Sequence, residues 1–308
     1  MNEYVVETHG LSKFYRRTKA VSQINMHVHK GDIYGFIGRN GSGKSTTLKM
    51  ITGLIHPSEG DLLLFGEPRN PFSFRRIGAL IEHPGLYPKL SAYTNMAIKA
   101  AAMGLHDRQQ IIELLTLVGL DPLNKKQVQT FSLGMKQRLG IALAMLGEPD
   151  LLILDEPING LDPEGIKEIR EVIRYLNETK KVTILISSHI LGELSKVATR
   201  YGIIRDGHLI EEISAKELDK KCRNYLFLKV DHPEKAIALL EERFLIHDYV
   251  IQSENEIWIY DEIQSIPLNA LLINHGISVE QIYYKKQDLE SYFLERTGGE
   301  LHGEHGQS

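Results

Sequence analysis

The run Leu-Leu-Ile-Leu at 151–154 is apolar without a break and is closed by two carboxylates, Asp155 and Glu156. An unbroken run of this length reads as a strand covered on both faces, as in a parallel sheet. The segment 32–37, Asp-Ile-Tyr-Gly-Phe-Ile, reads the same way. Further strands are expected at 62–65, 77–81, 182–187 and 202–205. Ile24, Met26 and Val28 alternate with Asn25, His27 and His29, the period of a half-buried strand. Helical spacing of apolar residues predicts helices over 108–118, 133–146, 163–177 and 191–198. Pro163 suits a first helical position, with Asp162 as its cap. Alternating strands and helices argue for an α/β core. The nearly strandless stretch 83–148 reads as a helical insertion.

After about residue 220 the rhythm changes. Strands are expected at 225–230, 248–252, 256–260 and 279–284, and helices at 233–243, 266–275 and 287–296. The order βαββαβ suits a small α+β unit of ferredoxin-like type. The chain thus divides into 3–220, 221–297 and a Gly- and His-rich tail, 298–308. For the second unit a regulatory binding module and a dimer-stabilising appendage both remain open. For the tail, a frayed end outweighs a metal tract.

Composition narrows the classes. Of 308 residues, 42% are hydrophobic and 25% charged, with a net charge of −4. There is no basic excess to argue for nucleic acid as the main partner. No apolar run is long enough to span a bilayer, and the first residues lack the charged and apolar regions of a signal peptide. Cys222 is the single cysteine, so an internal disulfide is excluded. His27 and His29 have no acidic or cysteine neighbour in sequence, which favours a solvated strand face over a metal site.

The candidate chemistry begins at 38–45: Gly38, Arg39, Asn40, Gly41, Ser42, Gly43, Lys44, Ser45. This is a G-x-x-x-x-G-K-[ST] loop preceded by an expected strand and followed by a helix starting near Thr46. Its glycines let successive N–H groups point inward as a nest for anions, and the helix dipole adds to the attraction. Lys44 supplies a mobile charge for terminal phosphates. Ser45 offers a hydroxyl to Mg²⁺, which prefers hard oxygen ligands. Asp155, at the end of a buried strand, can hold Mg²⁺ directly or through water. Glu156, one residue on, points elsewhere and can polarise an attacking water as a general base.

With these pieces in order, residues 3 to about 218 resemble an ATP-binding subunit of an ABC transporter, a P-loop NTPase. Tyr15 falls where the family stacks a ring on adenine. Phe131-Ser132-Leu133-Gly134-Met135 falls at the signature sequence, Asn159-Gly-Leu-Asp162 at the dimer-contact loop, and His189 at the switch histidine that senses the γ-phosphate. Two departures stand out. Leu133 and Met135 replace a Gly and a Gln of the usual Leu-Ser-Gly-Gly-Gln, while Ser132 and Gly134 are kept. Glu82 replaces the usual Gln that ligates Mg²⁺ at the entry to the helical insertion. These features narrow the resemblance to subunits of bacitracin and lantibiotic resistance transporters.

The resemblance implies ATP and Mg²⁺ as cofactors and hydrolysis coupled to transport. It implies a homodimer in which Ser132 and Gly134 of one copy close on ATP held by the other. It also implies a separate membrane permease, docked around 82–96 through Leu86, Tyr87 and Leu90, and a peripheral location on the cytoplasmic face of the membrane. One rival reading is an ABC transporter ATPase for another substrate, in multidrug, lipid or ion export; the more distant one is a non-transport ABC ATPase of DNA repair or translation. The absence of long coiled coils and of a second phosphate loop weighs against it.

Overall fold

The computed structural model describes residues 4–16, 18–285 and 289–297 and divides into two compact units, one reaching Ala215 and the other spanning Lys216–Glu295. The residues read as a tail, 298–308, lie outside those described.

The first unit contains a six-stranded sheet. Its order is His208–Ser214, Arg200–Arg205, Ile33–Ile37, Thr183–Ser188, Leu151–Asp155, Ile77–Leu80. All pairs are parallel except the first, a hairpin. Ile33–Ile37 and Leu151–Asp155 are buried at every position, as their unbroken apolar runs require. Register sets the site. Ile37 lies opposite Ser188 and Asp155 opposite Ser187, so three carboxyl ends share one edge. Ligands of open α/β sheets bind at that edge.

A second, antiparallel sheet was not expected. Tyr4–Tyr15 pairs with Thr18–Ile24, His27–His29 and Glu59–Leu64. The helix Lys44–Ile51 packs between the two sheets: Leu48, Met50 and Ile51 are fully buried with Val6, Leu11, Tyr34 and Ile153. Each such side chain contributes about 1.5–3 kcal/mol.

The alternation at 24–29 predicts burial correctly, since Ile24, Met26 and Val28 are all at 0% exposure. It does not form one strand. The chain breaks at Asn25, whose Oδ1 accepts from Gly10 N at 2.7 Å, and Met26 N donates to Thr8 Oγ1. Nor is His27 merely solvated. Its Nδ1 lies 2.8 Å from Glu212 Oε2, and Tyr34 Oη donates to Glu212 Oε1 at 2.7 Å. A Cβ on Gly202 would fall 2.0 Å from Tyr34 Oη, so the buried phenol needs a glycine beside it. Among the described residues no cluster of His, Cys, Asp and Glu suits a metal ion.

The helical segment carries Ala92–Ala102, Arg108–Leu117 and Leu133–Ala144, and no strand is assigned over 83–148. The first of these helices was not read from the sequence. The expected helix over 191–198 shortens to Leu191–Leu194.

In the second unit the antiparallel sheet runs Tyr249–Ser253, Glu256–Ile259, Tyr225–Val230, Val279–Lys285. The helices Pro233–Phe244 and Ser265–Asn274 supply Ala236, Leu240, Leu268 and Leu272 to its core. Each helix connects two strands that flank a third, the split βαβ pattern.

Candidate functional site

The loop after Ile33–Ile37 is shaped by its glycines. Gly43 sits at φ +107° as the residue before the helix, and Gly41 at φ +81°. A Cβ on Gly38 would lie 2.4 Å from the Ile204 carbonyl, and one on Gly43 2.7 Å from that of Ala20. Backbone therefore closes on the loop from two sides. The first turn of the helix carries Lys44, Ser45 and Thr46, and Thr47 Oγ1 donates to Gly43 O at 2.9 Å. Arg39, Asn40, Gly41 and Ser42 line a hollow of about 450 Å³ with Arg205 and Asp206. The Ser42 hydroxyl is buried with no hydrogen-bond partner among the described residues.

Lys44 is only 5% exposed. Its Nζ donates to Gly38 O at 2.7 Å and lies 3.2 Å from Glu156 Oε1. The other carboxylate oxygen of Glu156 lies 2.8 Å from His189 Nδ1. Lys44, Glu156 and His189 thus form one polar chain across the sheet edge. Ser187, which sequence reasoning missed, organises it. Its hydroxyl donates to Asp155 Oδ1 at 2.6 Å and accepts from Glu156 N at 3.0 Å. The sequence carries no signal for it, because only strand register sets it opposite Asp155. Glu156 takes a left-handed backbone, φ +49°, which turns its side chain out of the strand's alternation.

Tyr15 ends its strand 46% exposed, with Lys13 Nζ 5.3 Å from its ring centre. An open ring face is what a stacking role needs. Glu82 lies apart from the chain formed by Lys44, Glu156 and His189. Its carboxylate pairs with Lys49 Nζ at 2.5 Å, and its backbone is left-handed at φ +60°. The Lys49 ammonium holds the Glu82 carboxyl below its ordinary value. The hydrogen bond that Lys49 donates to Glu82 raises the Lys49 pKa, with smaller contributions from the Tyr15 and Asp155 charges.

Residues 21–159 match the family model described as ABC transporter. The bacitracin transport ATP-binding protein BcrA of Bacillus licheniformis is 46% identical over 301 residues, covering 96% of this chain and 98% of that protein. The chain belongs to the ABC transporter ATP-binding proteins. A second such protein, the lantibiotic transport ATP-binding protein SrtF of Streptococcus pyogenes, is 44% identical over 215 residues, covering 70% of this chain and 92% of that protein. Among solved structures, CbiO1 of Clostridium perfringens, part of the ABC transporter complex CbiONQ, matches with a TM-score of 0.65 and 26% identity over 79% of this chain and 97% of its own. The loop at 38–45 is therefore set in an ABC ATPase, an ATP-hydrolysing subunit.

The signature residues of this ABC ATPase stand elsewhere. Ser132 caps the helix Leu133–Ala144, its Oγ accepting from Met135 N at 3.2 Å. Gly134 is half-buried, and a Cβ there would make an ordinary contact with the Leu161 side chain at 3.7 Å. Leu133 is 45% exposed and lies against Gly160. Leu133 and Gly134 pack against Gly160 and Leu161, and among the described residues no hydrogen bond joins Ser132 or Gly134 to Lys44, Glu156 or His189. Of the apolar residues expected to be exposed for docking, Tyr87 is exposed and Leu86 and Leu90 are half-buried. A hollow of about 300 Å³ nearby is lined by Leu54, Ile81, His83, Lys99 and Gly140 among others. Among the described residues no helix is long and apolar enough to cross a membrane.

Proposed function

We propose that this ABC ATPase binds Mg²⁺-ATP at 38–45, hydrolyses it with Glu156 as the base, and closes the site with Ser132 and Gly134 of a second copy. The observation that carries this reading is the Lys44–Glu156–His189 chain at the loop's edge. Lys44 donates to backbone carbonyls and faces Glu156, contacts that a bound phosphate would replace by stronger charge. That exchange frees Glu156 to accept a proton from water, with His189 orienting the carboxylate.

The donor set fits Mg²⁺. Ser45, Asp155 and Glu82 supply hard oxygens, and one Asp155 oxygen is fixed by Ser187 while the other is left to a ligand. The bound metal would neutralise charge between the phosphates. Arg39, Asn40, Gly41, Ser42, Gly43 and Thr46 would supply backbone groups to the phosphates, and Tyr15 the ring for the base.

Because Ser132 and Gly134 do not reach the phosphate loop of their own copy, two copies arranged head to tail would hold two ATP molecules. A separate permease would dock around 82–96 and place the pair on the cytoplasmic face of the membrane. Similarity to bacitracin and lantibiotic transport proteins supports a peptide antibiotic as the transported substrate. On this reading residues 3–220 are the ATP-binding domain and 221–297 an accessory domain.

Glu156→Gln tests the catalytic assignment. Hydrolysis should fall by at least about 10²-fold while ATP binding is retained. Near-normal hydrolysis would rule Glu156 out as the base.

A further inference from the structure

We propose that Lys49 is a positioning residue that competes with the metal for Glu82, so that releasing the Lys49–Glu82 pair is a step in loading Mg²⁺. The inference rests on the reading of 38–45 as the Mg²⁺-ATP site. Three observations carry it. Ser45 and Lys49 stand four residues apart on the helix Lys44–Ile51, which places them on one face, one turn from each other. Glu82 is held on the far member of that couple, at 2.5 Å from Lys49 Nζ. Lys49 also lies close enough to Asp155 and Tyr15 to interact with both electrostatically.

The Lys49 ammonium is thus a built-in cation that holds the Glu82 carboxylate and lies within the electrostatic reach of Asp155. A metal beside the Ser45 hydroxyl and Asp155 would draw the Glu82 carboxylate toward itself. Lys49 would have to yield it. The backbone at Glu82 suits such a change. Its φ of +60° is uncommon for a residue with a Cβ, so a move to a right-handed or extended conformation relieves strain. Glu82 follows the strand Ile77–Leu80 and precedes the helix Ala92–Ala102, so its motion would be felt where the helical segment joins the core. A carboxylate, unlike a neutral amide, binds its lysine strongly enough for this competition to matter.

The test uses the full chain, Mn²⁺ as a spectroscopic stand-in for Mg²⁺, and the non-hydrolysable ATP analogue with a β,γ-imido bridge. Mn²⁺ affinity of the nucleotide-bound protein is read by electron paramagnetic resonance, and nucleotide affinity is measured separately in EDTA. Lys49→Met should tighten Mn²⁺ about two- to five-fold, the range that loss of an exposed competing ion pair allows. Glu82→Gln should weaken it, and Lys49→Met added to Glu82→Gln should give no further change. Lys49→Gln gives the same reading should the methionine variant fold poorly. Mn²⁺ affinity indifferent to Lys49 in protein that binds nucleotide overturns this inference alone, as does a gain that persists without Glu82. Failure of the wild-type chain to bind nucleotide in EDTA or with Mn²⁺ overturns the site itself.

Discussion

Gly43 meets two separate demands, a left-handed backbone at φ +107° and a carbonyl 2.7 Å from where a Cβ would stand. Gly43→Ala should therefore cost about 1–3 kcal/mol of stability. It should also lower nucleotide affinity at least ten-fold, because the loop must open to relieve the contact. A thermal melt and a titration with a fluorescent ATP analogue check both, and an alanine variant matching wild type in each would refute the geometry. At this scale much of the site was legible. The fixed spacing of Gly38, Gly43, Lys44 and Ser45 announces the loop, and Asp155 and Glu156 stand out as charges closing an apolar run. Ser187 and Lys49 were not legible. Ser187 acquires meaning only when strand register sets it opposite Asp155, and Lys49 only when tertiary folding brings Glu82, 33 residues away, onto it.

Elements were legible where burial is two-sided or strongly periodic. Leu151–Asp155 and Pro163–Glu178 follow directly from a continuous run and from an amphipathic stripe behind a capping aspartate. Tyr4–Tyr15 escaped because its burial does not alternate; pairing with three other strands brings register shifts that break the period of two. Ala92–Ala102 escaped because an alanine-rich helix shows little contrast between faces. Turn chemistry at the end of one hairpin allows a pH test. The Asp261 carboxylate accepts from the backbone N–H of Asp248 at 3.0 Å and of His247 at 2.9 Å, and these bonds lower its pKa. A depressed folded value means stability present above the unfolded pKa, about 3.9, and lost as pH falls through the lower folded value. Urea midpoints of the wild type should thus decline below about pH 4 more steeply than those of Asp261→Asn. Parallel declines would contradict the assignment.

For the whole molecule, the proposed composite site turns on the placement of two groups of residues. The phosphate loop, Glu156 and His189 share one sheet edge, while Ser132 and Gly134 open the helix Leu133–Ala144 beside Gly160 and Leu161. The hydroxyl of Ser132 is occupied by its own helix cap, and the exposed Leu133 beside it adds apolar surface where the usual family residue is a glycine. If Ser132 and Gly134 close the site of a second copy, as proposed, each copy alone holds an incomplete site and ATP forms part of the interface. On that reading ATP binding would become a mechanical event for a permease, since closure of two copies would carry their helical segments with it. Hydrolysis with Glu156 as the proposed base would remove the γ-phosphate and reopen the pair. The most direct measurement is the sedimentation mass of Glu156→Gln with and without Mg²⁺-ATP. The account predicts 34.9 kDa without nucleotide and about twice that with it. It also predicts loss of the larger species when Ser132→Arg is added. A mass that stays at the single-chain value in saturating Mg²⁺-ATP would contradict the composite site.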